Sequence, residues 1–368
     1  MFNKMSILTF SLLVTLFFSG CGKESLPNNN HEEETGEWPT GQNVFVAGFE
    51  NIQDEKPAAR LWKNGKMVDL AGSTGSDVRS AGDVINSVAR SVFVSGNDVY
   101  VAGYDIIEGE GAGERTGRAR LWKNGEVQEL EQGTYFEQAV SVFVSGDDVY
   151  VLGAESLHPI PSTGGRWAYK YWKNGKAEVF AERNGGDGVN SIFVTDDGDV
   201  YIAGQYGKQA KLWKNGVEED LAGGEQASSV FVTANDIYVA GFDSSTAKFW
   251  KNGKMENLTN GTKFAKAYSV FVFGNDVYVA GYEGDEAKLW KNGIVQDIAD
   301  NKDARMFLSV FVSNGDIYTS GYVVVEGSSE GNLIHPSYLK ATLWRNGIKL
   351  NLNTEGKNNS QAMSIFVK

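Results

Sequence analysis

Short runs of β-branched and aromatic residues recur along the chain, each bounded by Gly, Asn or Asp. Runs of this composition and length, set off by turn-forming residues, predict β-strands rather than helices. One run reads SVFV or SIFV, and a second reads DVYVAG or a close variant. The SVFV-type run begins at Ser91, Ser141, Ser191, Ser229, Ser269, Ser309 and Ser364.

A third run ends in a tryptophan followed by Lys-Asn-Gly or Arg-Asn-Gly, and it occurs seven times. Its tryptophans are Trp62, Trp122, Trp172, Trp213, Trp250, Trp290 and Trp344. Asn-Gly favours a type I′ hairpin, because both central residues of that turn need positive φ. An apolar residue eight positions after each tryptophan indicates a fourth strand. Each repeat is therefore predicted to be a four-stranded antiparallel meander with strands A (SVFV), B (DVYVAG), C (ending at the tryptophan) and D.

Seven such repeats predict an all-β, seven-bladed β-propeller over residues 42–368, since strands A and B are apolar on both faces and need neighbours on each side. An open solenoid is the main alternative. The repeat pattern begins in strand B at 43–48 and ends in strand A at 364–367. Only ring closure lets the last strand complete the first blade, so we expect these two segments to pair.

The first twenty residues have the pattern of an export signal. Lys4 precedes an apolar run from Ile7 to Phe18, which is shorter than a membrane-spanning helix requires. Residues 21–41 are polar, contain two prolines and predict a flexible tether. The predicted organisation is therefore a signal peptide at 1–20, a tether at 21–41 and the propeller at 42–368.

The stretch Phe18-Ser19-Gly20-Cys21 resembles the lipobox of bacterial lipoproteins. That resemblance implies cleavage before Cys21, diacylglycerol modification of its thiol and acyl chains such as palmitate in the membrane. The AxLWKNG repeats resemble those of secreted or lipid-anchored bacterial proteins of Bacteroidota type. Gly22 and the charged pair at 23–24 agree, by resemblance to known sorting signals, with an outer-membrane protein exposed to the periplasm or the cell surface.

Composition excludes several classes of function. A formal charge of −13 leaves no surplus basic surface, so binding to nucleic acid is not expected. A single cysteine excludes internal disulfides and cysteine-based zinc sites. Three histidines, two of them preceding proline, do not suggest a metal site, and we expect neither a metal nor a cofactor. We also expect a monomer.

Most of the repeated residues are interpreted as structural. The seven tryptophans could stack on sugars, but a strand packed on both faces favours a core role. The Asp before strand B is expected to bond turn N–H groups, the Lys beside each Asn-Gly to form a solvated ring, and the strand-A serines to bond within their blade.

Insertions break the repeat unequally. The B–C connections are short and equal in blades 4–6, and they are 5 to 14 residues longer in the contiguous blades 7, 1, 2 and 3. The B–C and D–A connections share one face of a propeller, so this face is the predicted binding face. Its candidate ligand-binding residues are Glu108, Glu110, Arg115, His158, Trp167, Glu326, His335 and Tyr338.

Three functions remain open from the sequence. The favoured one is a non-enzymatic binding module, anchored in the envelope, for a polysaccharide, a peptide or a partner protein. The second is a glycan-active hydrolase or lyase that uses loop carboxylates about 5 to 10 Å apart as acid and base. The third is a scaffold in an outer-membrane complex.

Overall fold

The computed structural model describes residues 36–52, 56–73, 83–109, 115–159, 165–185, 188–298, 303–330, 333–354 and 358–368, and at 328–330 and 333–335 the backbone alone. The described strands form seven four-stranded antiparallel sheets and one small hairpin, which confirms the seven-bladed propeller. Blade 1 contains β1 (Val44–Asn51), β2 (Pro57–Lys63) and β3 (Lys66–Val68). Blade 2 contains β4 (Val84–Ser95), β5 (Asp98–Glu108), β6 (Arg115–Lys123) and β7 (Glu126–Gln128). Blade 3 contains β8 (Glu137–Ser145), β9 (Asp148–Ser156), β10 (Arg166–Lys173) and β11 (Lys176–Asn184).

The next three blades are the most regular. Blade 4 contains β12 (Val189–Val194), β13 (Val200–Tyr206), β14 (Gln209–Lys214) and β15 (Val217–Asp220). Blade 5 contains β16 (Gln226–Val232), β17 (Ile237–Phe242), β18 (Ala247–Lys251) and β19 (Lys254–Asn257). Blade 6 contains β20 (Ala265–Phe273), β21 (Asp276–Glu283), β22 (Glu286–Lys291) and β23 (Ile294–Val295).

Blade 7 carries the extra hairpin, and the last strand returns to blade 1. Blade 7 contains β24 (Ala304–Ser313), β25 (Asp316–Val325), β28 (Tyr338–Arg345) and β29 (Ile348–Leu350), with the hairpin β26 (Ser328–Glu330) and β27 (Leu333–His335) between β25 and β28. The final strand, β30 (Ser360–Val367), pairs with β1 in register Val44↔Val367 and Ala47↔Ser364. Ring closure by the two ends of the repeat pattern is thereby confirmed.

The Asn-Gly turns between strands C and D have the backbone that type I′ requires. In all seven, Asn has φ of 48–54° and Gly has φ of 75–89°. Glycine accepts this conformation without the steric cost that a Cβ atom would add, and Asn is the residue that best tolerates it otherwise.

Each inner strand contains a β-bulge. The bulge explains the glycine at the end of every DVYVAG-type run. In blade 6 the register passes from Ala267↔Gly281 to Ser269↔Ala280, which leaves Tyr268 as the extra residue. A Cβ atom on Gly281 would lie 1.9 Å from the carbonyl oxygen of Lys266. The same close approach, at 1.9–2.4 Å, occurs at Gly48, Gly103, Gly153, Gly204, Gly241, Gly281 and Gly321. Only glycine fits where the bulge presses a carbonyl against its partner strand.

The strand-A serines join neighbouring blades. The sequence predicts hydrogen bonds within one blade, and that prediction is wrong. The N–H of Val92 in blade 2 donates to Ser364 Oγ in blade 1, and the pattern continues blade by blade until the N–H of Ile365 donates to Ser309 Oγ. The seven donor–acceptor distances are 3.1–3.4 Å. Since each such bond contributes about 1 kcal/mol net, the ring reinforces closure.

Seven phenylalanines form a second ring along the central channel, two residues after the serines. Each ring centroid lies 4.5–5.1 Å from those of both neighbours. Successive rings are turned by 39–64°, close to a seventh of a full turn, so their planes run along the channel axis. The members are Phe93, Phe143, Phe193, Phe231, Phe271, Phe311 and Phe366.

The propeller begins earlier than residue 42, where the sequence placed its first residue. The N–H of Gly36 donates to the carbonyl of Lys349 in β29, and Trp38 packs against the core between blades 7 and 1. Gln42 hydrogen-bonds Ser313 and Tyr318 of blade 7. Residues 36–41 therefore belong to the same compact unit as the blades. The predicted signal peptide at 1–20, Cys21 and residues 22–35 of the predicted tether lie outside the described residues.

Candidate binding face

The repeated tryptophans belong to the cores between blades. All seven are buried, with 0–2% of each side chain exposed. The indole N–H of Trp122 donates to the carbonyl of Ala71 in the preceding blade, and Trp172 bonds Glu131 in the same way. Because a buried ring offers no face to solvent, none of these tryptophans can stack on a sugar.

We call the end of the blades that carries the A–B turns and the Asn-Gly turns the turn face. In blade 2, Asn124 Oδ1 accepts the N–H of Val99, its Nδ2 donates to Asp98, and Lys123 Nζ lies 2.7 Å from the other Asp98 oxygen. Lys123 and Asn124 lower the pKa of Asp98 below its usual value. The sequence predicts that turn N–H groups donate to this aspartate. The side chains of the asparagine and the lysine donate to it instead.

The same cluster recurs in blades 3–6, and blade 7 uses Arg345 with Asp316 and Asn346. The lysines and the arginine in blades 2–7 are thus ion-paired rather than a freely solvated ring. Blade 1 differs because Asn43 replaces the aspartate, and Lys63 lies over the ring of Phe45. In six of the seven blades, the charged groups of the turn face therefore satisfy one another.

We call the opposite end, with the B–C and D–A connections, the connection face. Its long insertions are largely continuations of the sheets rather than loops. In blade 2 the ladder extends to Glu108↔Arg115, and in blade 7 to Val325↔Tyr338. Pairing along the insertions satisfies backbone N–H and C=O groups that a loop would leave to water. The insertions of blades 2, 3 and 7 therefore form hairpins on the connection face.

The candidate ligand-binding residues lie on these hairpins. Glu108 and Arg115 face each other at the end of the blade 2 ladder. His158 is exposed just after β9, and Trp167 is half-buried at the start of β10. In blade 7, Glu326 is exposed and accepts a hydrogen bond from Ser337, whereas Tyr338 is half-buried. His335 pairs with Ser328 through the backbone of the small hairpin, and Glu110 lies outside the described residues.

The structure does not gather these candidates into one cluster. In the part of the chain that is described, no hydrogen bond, ion pair or ring contact joins candidates from different blades. Trp167 instead contacts a residue that the sequence did not single out. The ring of Phe136, from the D–A connection before β8, lies 6.2 Å from Trp167 and 6.4 Å from Tyr104 of blade 2. These three half-buried rings form what we call the aromatic ledge between blades 2 and 3. Phe136 escaped notice because it lies outside every repeated run.

Charged side chains are buried beneath the connection face in blades 1–3. Lys170 bridges Glu137 and Glu155, at 2.8 Å from Glu155, and Arg120 pairs with Asp105. Burial raises the pKa of Glu137 and of Asp105 above their usual values. Their cationic partners compensate the cost of burying the carboxylates. Glu137 and Asp105 are 0–1% exposed, so a substrate cannot reach them.

No group of three or more His, Cys, Asp or Glu side chains with metal-binding geometry occurs among the described residues. The described part of the chain likewise contains no helix long and apolar enough to cross a membrane.

No protein-family model matches the chain, and a comparison with curated proteins found no match. Among solved structures it is similar to a protein from Lactobacillus plantarum, at 9% identity and a TM-score of 0.46, over 89% of this chain and 99% of that one. It is also similar to virginiamycin B lyase from Staphylococcus aureus, at 12% identity and a TM-score of 0.42, over 75% and 96% of the two chains. A third similar structure is an extracellular domain from B. thetaiotaomicron, at 10% identity and a TM-score of 0.41, over 78% and 38%. The fold assignment rests on the strand order of the chain itself.

Proposed function

We propose that the protein is an envelope-anchored lipoprotein that binds its ligand on the connection face. The observation that carries this proposal is the difference between the two faces. Hairpins from blades 2, 3 and 7 and the half-buried aromatic ledge all lie on the connection face. The turn face presents short turns whose charged groups pair with one another. Partly exposed aromatic rings beside elaborated connections are typical of recognition surfaces.

Binding is favoured over hydrolysis or lyase chemistry by the state of the carboxylates. Glu137 and Glu155 both contact Lys170, and Glu137 is buried. A general acid and base must reach the reacting bond. Glu108 is half-buried on the blade 2 hairpin, and Glu326 is exposed on the blade 7 hairpin, where it accepts a hydrogen bond from Ser337. A polysaccharide, peptide or partner protein remains the proposed ligand class, at the outer membrane, exposed to the periplasm or the cell surface.

The lipid anchor is testable at its single attachment residue. Substituting Cys21 with Ser removes the only thiol in the chain, so the variant should lose acylation and partition into the soluble or unprocessed fraction. Detergent phase partitioning and labelling with a palmitate analogue measure both effects. Unchanged membrane association of the variant would contradict the anchor.

The connection face is testable by shortening its hairpins without cutting the ladders. Replacing residues 109–114 by Asn-Gly closes the blade 2 hairpin between Glu108 and Arg115, and replacing 326–337 by Asn-Gly closes the blade 7 hairpin between Val325 and Tyr338. Both variants should fold and lose binding to a polysaccharide array or to envelope extract. Full retention of binding by both folded variants would exclude these hairpins as the binding site.

Trp167→Ala tests the aromatic ledge separately. Removing a half-buried anchor ring should weaken binding by about 1–3 kcal/mol, the range seen for interface aromatics. The matched control is Phe273→Ala, which removes an aromatic ring that is 44% exposed on the turn face. Equal losses in the two variants would show that the ledge has no special part in recognition.

A further inference from the structure

Each inner strand contains one bulged residue, and the repeat does not fix the type of residue at that position. The residues on either side of it are nearly uniform: Ser follows it in all seven blades, and Ala precedes it in five. The bulged residues themselves are unlike one another: Arg90, Val140, Asn190, Ser228, Tyr268, Leu308 and Met363. A bulge redirects a side chain, and it often does so beside a functional site. Divergence at this position, beside two nearly uniform positions, indicates that its side chains serve something other than the repeat.

The bulged positions lie toward the connection-face end of the central channel, which we call the channel mouth, although the Val140 side chain packs in the core between blades 3 and 4. Strand A runs from the connection face to the turn face, so the bulge precedes the serine and phenylalanine rings. Asn190 Nδ2 donates to the carbonyl of Ala227 in the next inner strand, at 2.8 Å. The Tyr268 ring lies 6.4 Å from Phe242 of the preceding blade and 6.0 Å from Tyr282. The Asn190 contact joins two inner strands, which are the strands nearest the axis, whereas the two ring contacts of Tyr268 are with strand-B residues.

The mouth contains two cations in a protein of net charge −13, and the charge of Glu225 acts on one of them. The bulged positions and the positions two residues before them contain two cations, Arg90 and Lys266, and no acid. Among the described residues, neither cation forms an ion pair; Lys266 Nζ lies 4.2 Å from the centroid of the Phe242 ring. Lysines elsewhere in the blades, such as Lys170 and Lys211, each contact two carboxylates.

Lys266 is held where its charge is poorly solvated. Burial lowers its pKa, and the charge of Glu225 offsets that effect only in part. Glu225 is itself bonded by the hydroxyl of Ser244. A partly desolvated cation that one carboxylate compensates only in part costs free energy, which an anionic ligand would recover.

Uncharged polar groups surround the two cations. The hydroxyl of Tyr268 is inaccessible to solvent and has no hydrogen-bond partner in the described part of the chain, although buried hydroxyls are normally satisfied. Amide side chains occupy the position two before the bulge in blades 1, 3 and 5, at Gln361, Gln138 and Gln226. Below them lies the ring of seven phenylalanines, which lines the channel with apolar surface. Its centroid spacing of 4.5–5.1 Å makes this ring about 11 Å across.

We propose that the channel mouth binds an anionic oligosaccharide built of uronic acids, with Arg90 and Lys266 as its carboxylate-binding residues. The two cations project from blades 2 and 6, on nearly opposite sides of the axis, so they suit carboxylates on separate sugar units. Amides suit sugar hydroxyls, and the half-buried Tyr282 ring suits a sugar face. This inference deepens the proposed binding function, on which it rests, by naming a ligand class and a site on the connection face.

The test uses the soluble protein from residue 22 onward and isothermal titration calorimetry at low salt. The probes are α-1,4-trigalacturonate, a β-1,4-glucuronate trimer, and the neutral methyl ester of each. At least one acid should bind about tenfold or more tightly than its ester, because charge-assisted hydrogen bonds to the carboxylates are lost on esterification. Failure of both acids to bind, or equal binding of acid and ester, would overturn the proposal.

Two charge variants locate the site. Arg90→Gln and Lys266→Gln should each weaken binding of the preferred acid by about tenfold, and together they should abolish it. Lys63→Gln on the turn face makes the same charge change and should leave affinity unaltered. Thermal melts verify that each variant is folded. Unchanged affinity in the folded double variant, or an equal loss in Lys63→Gln, would refute the assignment.

Failure of this site is distinguishable from failure of the proposed function. If the shortened hairpins of blades 2 and 7 abolish binding to the polysaccharide array but the double charge variant does not, the channel-mouth site is wrong and the connection face stands. If no probe and no arrayed ligand binds the intact protein, both fail together.

Discussion

Deleting residues 361–368 should unfold the propeller under conditions in which the intact chain is folded. The deletion removes almost all of β30 and leaves the inner edge of β1 unpaired. Ala362, Ile365 and Val367 are buried, and fully burying a side chain such as Ile or Val contributes about 1.5–3 kcal/mol. The deletion also opens both closed rings, at Ser364 and at Phe366. The combined loss is comparable with the whole stability of a typical domain, about 5–15 kcal/mol.

Circular dichroism during thermal and guanidinium denaturation measures this loss. Deleting residues 22–35, which precede the described part of the chain, is the control for shortening as such and should leave the transition unchanged. Blade 1 would also expose a strand edge in the truncated protein, so aggregation should accompany unfolding. A truncated chain that melts at the same temperature as the intact one would show that β30 does not close the ring.

Trp172→Ala should lower the free energy of unfolding by about 3–5 kcal/mol, the usual cost of removing a buried tryptophan or phenylalanine side chain. Trp172 is 0% exposed, and its indole N–H donates to the carbonyl of Glu131 at 2.8 Å. Lys170 Nζ lies 4.9 Å from the centroid of its ring. The substitution therefore creates a cavity, removes the indole partner of the Glu131 carbonyl and withdraws a contact from a buried cation.

Trp167→Ala is the matched control, because it makes the same substitution in the same strand, β10. The Trp167 side chain is half-buried at the connection face, and its loss should cost clearly less stability than that of Trp172. Guanidinium denaturation of both variants gives the comparison. Similar losses from the two would contradict the assignment of Trp172 to the core and Trp167 to the surface.

The architecture of this protein follows from local sequence signals. Type I′ turns need positive φ at both central residues, so seven Asn-Gly pairs place seven hairpins. β-branched and aromatic runs between turns leave strands as the only regular structure. The segments at 43–48 and 364–367 complement each other as strands B and A, and ring closure follows from that pattern.

The detailed contacts depend on packing between blades, which local patterns do not reveal. Ser364 bonds Val92, 272 residues away in sequence, because closure brings the first and second inner strands together. The insertion of blade 2 continues as paired strand to Glu108, since backbone pairing is more favourable than an open loop of the same length. Phe136 reaches Trp167 and Tyr104 only because blades 2 and 3 are adjacent in the ring.

The candidate site shows the same division. The presence of all the long insertions on one face could be predicted from the lengths of the connections alone. The turns of a meander alternate between the two faces, so every B–C connection lies on the same face. The channel mouth could not be predicted from the sequence. A bulge shifts the strand by one residue, so Arg90 and Tyr268 do not follow the alternation of a regular strand. Sequence by itself determined the blades, their number and their order around the ring. The tertiary structure decided which side chains meet at the axis, because that depends on register and on neighbours far away in the chain.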